Sequence, residues 1–137
     1  VVATTSNAFS AFLAIDPLPC PRPRIAVIRG HGVAYFPKSY KDWREEFVGL
    51  FVDKTFTPFE GPVRVRVSFG IKKARTSKLV FPVGDIDNYA KSVLDGLTQV
   101  GMWKDDKQVV SLLATKRFAD VACIHLLINP YVPEEEQ

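Results

Sequence analysis

Residues 84–109 read GDIDNYAKSVLDGLTQVGMWKDDKQV. Between Tyr89 and Gln99 the apolar residues Ala90, Val93, Leu94 and Leu97 recur at helical spacing, which predicts a helix. Asp87 or Asn88 suits its N-cap, where a side-chain oxygen satisfies an unpaired backbone N–H. Gly101 suits its stop, and Lys104-Asp105-Asp106 reads as a polar turn into a new strand. Just before the helix, Asp85 and Asp87 stand two apart, as alternate residues do on one face of an extended strand. The stretch therefore predicts a strand end, a helix and a following strand.

Working outward, Val63, Val65, Val67, Phe69 and Ile71 alternate with Arg64, Arg66, Ser68 and Gly70, the cleanest strand pattern in the chain. Leu79, Val80 and Phe81 predict an extended run that ends at Asp85. Two further strands are expected over residues 109–117 and 121–129. Upstream, Ala11 to Ile15 predicts a short first strand, and residues 24–28 and 33–36 a hairpin around Arg29-Gly30-His31-Gly32. Tyr40, Trp43, Phe47, Leu50 and Phe51 form an apolar helical stripe, opened by an approximate capping box of Ser39 and Asp42. On this pattern Lys41, Arg44, Glu45 and Glu46 face solvent. The class is α+β: a mixed, mainly antiparallel sheet of five or six strands with two main helices packed on it.

At 137 residues the chain is read as one domain, with residues 1–10 as a frayed arm and 133–137 as a disordered acidic tail. No run of about 18 apolar residues appears, which excludes a transmembrane helix of the usual length. Cys20 and Cys123 belong to no metal spacing, and they are read as thiols in a reducing cytoplasm. Charge is unevenly placed: residues 59–80 hold six Lys/Arg and one acid, whereas residues 81–137 hold five against nine. A basic segment thus precedes the acidic stretch, as suits phosphate contact beside a cation site. Arg22 and Arg24, on the proline-stiffened segment 16–24, and Lys72, Lys73, Arg75 and Lys78 are the candidate DNA contacts.

If the chain returns beside its start after the helix, Asp85, Asp87, Asp105 and Asp106 converge. Carboxylates in contact disfavour one another's ionisation unless a cation neutralises them, and hard oxygen donors favour Mg²⁺, with Mn²⁺ as a substitute. Lys91 follows Asp87 by four residues and shares its helix face. Each feature also has a plainer reading: an Asp before a helix as a cap, Lys91 and Asp95 as a surface ion pair, Asp-Asp as a solvated turn. From spacing alone, a divalent-metal site is one possibility among these.

The pattern Asp85-Ile86-Asp87-Asn88, then Lys91, Leu94-Asp95 and Leu97-Thr98, then Gly101-Met102-Trp103-Lys104-Asp105-Asp106-Lys107-Gln108-Val109 resembles the RusA family of Holliday junction resolvases. It matches that family's D-[IL]-D-N, L-D-x-L-T and G-x-[WY]-x-D-D-x-Q-V blocks without a gap. The resemblance implies a homodimeric, Mg²⁺-dependent endonuclease that cuts four-way or branched DNA, and suggests a phage or prophage source. It implies catalytic roles for Asp85, Asp87, Asp106 and Lys91 and metal ligation by Asp85, Asp87 and Asp106, with Asp105 as a further candidate ligand. One departure stands out. Many members carry a basic residue or Lys-Pro before the first Asp, where this chain has Phe81-Pro82-Val83-Gly84. Two other readings are a non-catalytic branched-DNA-binding module with a structural acidic cluster, and a nucleotidyl- or glycosyl-transfer enzyme using the D-x-D pair. The chain has no Gly-rich phosphate cradle of the usual kinds to support the last.

Overall fold

The computed structural model describes residues 7–133. Its elements in order are β1 (Phe9–Leu13), β2 (Arg24–Ile28), β3 (His31–Tyr35), α1 (Lys38–Gly49), β4 (Val63–Lys72), α2 (Ile86–Gln99), β5 (Val109–Ala119) and β6 (Cys123–Pro130). Four strands make one sheet in the order β1-β6-β4-β5. The β1–β6 and β6–β4 pairs are antiparallel, and β4–β5 is parallel. This is the mixed, mainly antiparallel α+β arrangement the pattern predicts. Its six strands divide, however, because β2 and β3 pair only with each other.

The alternation in β4 explains the layering. Val63, Val65, Val67 and Phe69 are buried, and Ile124, Leu126 and Ile128 of β6 lie beside them in the same layer. Helix α1 adds Tyr40, Trp43 and Phe47, and α2 adds Tyr89, Ala90, Val93 and Leu97. Both helices cover this one face. They approach closely at Gly96, where an added Cβ would come within 2.6 Å of the Phe47 ring. The opposite face, with Phe12, Arg66, Leu113 and His125, stays largely open. His125 is therefore exposed, its ring edge-on to Phe12 at 4.9 Å.

Several expectations are corrected. Residues 9 and 10 are not a frayed arm: they belong to β1, opposite Ile128 and Leu127. The part of that expected arm that falls in residues 1–6, and residues 134–137 of the expected 133–137 tail, lie outside the described residues. The hairpin turns on two residues, Arg29 and Gly30, both with positive φ (53° and 80°), so His31 opens β3 instead of capping a wider loop. The Ser39/Asp42 capping box does not form. Pro37 is the N-cap of α1, and Asp42 instead pairs with Lys38 at 2.8 Å. Residues 79–85 form no strand. Pro82 lacks a donor, and no neighbouring strand offers this segment a partner. Cys20 and Cys123 are free and buried. Among the described residues no helix is long and apolar enough to cross a membrane.

Candidate active site

The β4–α2–β5 unit positions every acidic candidate. Because β5 runs parallel to β4, the intervening helix must travel back along the sheet. The start of α2 therefore lies near the end of β4, and its end lies near the start of β5.

At the starting end, Lys72 closes β4 and the loop carrying Lys73, Arg75 and Lys78 follows, all four exposed. The loop is tied down just before the helix. Lys116 of β5 donates to the Pro82 carbonyl at 2.7 Å and also to the Gly84 carbonyl. Asp85 is the N-cap of α2, two or three residues earlier than the cap expected from sequence, and Asp87 lies in the first turn. The Asp85 backbone carbonyl accepts from the amides of Asn88 and Tyr89, each at 3.1 Å. Its side chain makes no capping bond. Asp85 and Asp87 are both exposed, at the helix end whose dipole favours negative charge. They are not alternate residues of a strand.

The proline segment is strapped alongside. The Cys20 amide donates to the Asn88 carbonyl at 2.9 Å, the Ser92 hydroxyl to the Leu18 carbonyl at 2.6 Å, and the Trp43 indole to the Asp16 carbonyl at 2.7 Å. Arg22 follows two residues beyond the Asn88 anchor. It and Arg24, the first residue of β2, are exposed.

At the far end, α2 stops as Gly101 predicts. Gly101 has φ +84°, its amide reaches the Thr98 carbonyl at 3.1 Å, and the Met102 amide reaches Leu97 at 3.0 Å. Trp103 is buried and donates to the Thr98 hydroxyl at 2.7 Å. The Asp-Asp turn then divides its labour. Asp105 caps a short 3₁₀ turn (Asp106–Gln108) by accepting from the Lys107 amide at 2.8 Å. Gln108 accepts from the amides of Lys104 and Asp105 and donates to the carbonyls of Phe59 and Gly61, both at 2.9 Å. Asp106 stands exposed outside this scaffold.

Between the two ends, Lys91 pairs with Asp95 at 3.3 Å. Arg44 joins them from α1, 3.8 Å from Asp95, while donating to the Tyr40 hydroxyl at 2.6 Å and to Gln99 at 3.1 Å. Arg44 therefore brackets the two helices and does not face solvent as expected.

Asp85 and Asp87 thus share one end of a 14-residue helix, and Asp105 and Asp106 lie beyond the other. At 1.5 Å per residue the helix alone is about 21 Å long. The chain does not return beside its start, so the convergence expected from sequence does not occur within one copy. Among the described residues no group of three or more His, Cys, Asp or Glu side chains could hold a metal ion. A divalent ion bound by Asp85, Asp87 and Asp106 together does not fit a single chain.

The family model for endodeoxyribonuclease RusA matches residues 14–129, from just after β1 into the last strand. The chain belongs to the RusA family. It is thereby an endodeoxyribonuclease of a family that acts on branched DNA junctions. No curated protein sequence matches the chain. Within this RusA chain, sequence reasoning did not find the positioning roles of Lys116 and Arg44. Both sit where periodicity reads an ordinary polar position. The only sequence signal for Arg44 is its place four residues after Tyr40, on the border of the apolar stripe.

Proposed function

We propose that this RusA-family chain is a Mg²⁺-dependent, structure-selective endodeoxyribonuclease that resolves Holliday junctions by paired phosphodiester hydrolysis, acting as a homodimer in the cytoplasm. One observation supports the site above the others. Asp85 occupies a helix N-cap, the position where an aspartate ordinarily bonds the backbone, yet its carboxylate makes no such bond. That leaves it available beside Asp87, next to a basic loop.

In this reading Asp85, Asp87 and Asp106 are the catalytic carboxylates, and Mg²⁺ supplies Lewis acidity at the scissile phosphate when bound. Lys91 is more than half exposed, and its pairing with Asp95 costs little to break. It turns toward the phosphoryl group and offsets charge as it develops. Arg22, Arg24, Lys72, Lys73, Arg75 and Lys78 grip the backbone on either side, so affinity falls steeply as salt rises. Two copies related by a two-fold match the pseudo-two-fold of a four-way junction.

The test is cleavage of a synthetic four-way junction beside a linear duplex of the same arms, in Mg²⁺ or EDTA, by the wild type and Asp87→Asn. Paired, symmetric, metal-dependent nicks in the junction alone, lost in the variant, support the proposal. Tight junction binding with no cut under any divalent metal replaces it with a non-catalytic junction-binding module.

A further inference from the structure

The sheet face that α1 and α2 leave open is cationic and partly aromatic. No Asp or Glu stands in β1, β4, β5 or β6. At the centre of the face Arg66 is exposed, in register between Leu127 of β6 and Leu113 of β5. In the next row Phe12 lies opposite His125, their rings edge-on, and Ser68 and Thr115 add hydroxyls. These two rows line an open trough of about 540 Å³. Beyond them the Arg117 guanidinium lies over Gly70, 3.3 Å from where a Cβ would stand. Among the described residues neither Arg66 nor Arg117 meets a carboxylate.

We infer that this face is a second nucleic-acid site and that its ligand is single-stranded DNA. Phe12 is 55% exposed. In an edge-on pair the ring that presents its edge keeps both of its own faces clear of the partner, so a base can stack on it. Four strands span about 14 Å, and sheets of this size stack two or three bases on their aromatic side chains. Arg66 and Arg117 supply charge for the phosphates between those bases. A duplex fits less well, because its bases are already stacked and would leave Phe12 and Leu113 without a partner. A second copy placed face to face would set arginines against arginines, since a two-fold contact joins like surfaces. A peptide that adds a strand needs a sheet edge, whereas the central strands β4 and β6 are paired on both sides. Recognition here falls to side-chain tips: guanidinium, hydroxyl and ring. The face lies across the sheet from α2, so it offers a hold on the unpaired strand of a branch that is separate from Asp85 and Asp87. Binding draws on no cleavage step, and the inference stands or falls apart from the nuclease reading.

Fluorescence anisotropy with a labelled oligothymidylate, in EDTA, tests this on the full chain. The wild type is expected to bind it, more weakly as salt rises. Phe12→Leu keeps an apolar side chain and removes the ring, and it should weaken binding about tenfold, the usual worth of one stacked base. Arg66→Ala should weaken it as well, while both variants hold a linear duplex as the wild type does. A wild type that does not bind oligothymidylate overturns the inference, and so do variants that bind it unchanged. Equal losses for single strand and duplex overturn the single-strand assignment. A Phe12→Leu protein that sediments at a smaller mass than the wild type gives the face to a second copy, and an oligoglutamate peptide that displaces the oligothymidylate mole for mole gives it to an acidic peptide. Either result overturns the inference.

A direct readout of position accompanies it. The two native tryptophans, Trp43 and Trp103, are buried, so an indole at position 12 reports on the open face alone. Phe12→Trp preserves a stacking ring and is expected to bind oligothymidylate at least as tightly as the wild type. Its added fluorescence should be quenched as the oligonucleotide binds, with no such change in the wild type. Binding without that quenching places the DNA elsewhere on the chain and overturns the inference.

Discussion

The Lys116 ammonium of β5 holds the Pro82 carbonyl at 2.7 Å, so the strand after α2 anchors the loop before it. The same group lies 5.7 Å from the centre of the Phe81 ring. Phe81 itself is 61% exposed. Lys116 thereby sets the height at which Asp85 leaves the body. Lys116→Met keeps the stem and removes the donors. Each lost hydrogen bond from a charged group is worth about 1.5–3 kcal/mol where it is well made. The expected outcome is a clear drop in melting temperature and, at temperatures where the variant is fully folded, a drop in junction cleavage at unchanged junction affinity. Equal losses in cleavage and affinity would make Lys116 a DNA contact instead of a positioning residue.

Gly84 is the next constraint on Asp85. A Cβ there would meet the Tyr89 ring at 2.5 to 2.8 Å. The ring has little room to yield, because it is buried and packs on Phe69 with centroids 5.3 Å apart. Gly84→Ala should therefore cost about 1–3 kcal/mol, the usual penalty of overpacking, and shift the first turn of α2. Urea unfolding checks the first effect. Cleavage under conditions where the variant is fully folded checks the second, and wild-type values in both would show that Tyr89 moves freely.

The helical and sheet periodicities were legible because they follow from which face is buried: Val93 and Leu97 in α2, and Val63 to Phe69 in β4, sit where their spacing places them. Gly101 was legible because only a residue tolerant of positive φ closes the helix there. What was not legible depends on partners distant in sequence. Leu79-Val80-Phe81 has strand propensity but no strand to pair with, and propensity alone does not form a ladder. Asp85 reads as an alternate strand residue until the helix is seen to begin at Ile86. The distance from Asp87 to Asp106 is set by the parallel pairing of β4 and β5, and nothing in the local spacing records it.

Alkaline pH should loosen the molecule at two tyrosines. Burial raises the Tyr89 phenol above its ordinary value of 10.0, and burial, as the largest cause, does the same at Tyr40 despite the Arg44 guanidinium beside it. A folded-state value above the unfolded one means that the stabilising contribution is fully present below pH about 10 and is lost as pH rises through the folded value. Stability should thus be insensitive to these groups near neutrality and fall above pH about 10. Tyr89→Phe should lessen that alkaline fall, because Phe carries no ionisable group. Denaturant midpoints from pH 7 to 11 for the two proteins test this; parallel curves would assign the fall to other groups.

Asp105 and Asp106 are adjacent and chemically identical, yet the structure gives them different work. Asp105 closes the capping box with Gln108, which in turn pins residues 59 and 61. Asp106 is exposed and outside that network. Asp105→Ala removes a cap, at a typical cost of about 1 kcal/mol, and should lower stability while retaining part of the cleavage rate. Asp106→Asn should leave stability unchanged to within about 0.5 kcal/mol, as surface changes usually do, and abolish cleavage. Thermal melts and junction nicking measured side by side separate the two. If the pattern were reversed, with Asp105 essential to cutting and Asp106 needed only for folding, the site would use the other carboxylate of the pair and the turn would have to be redrawn around it.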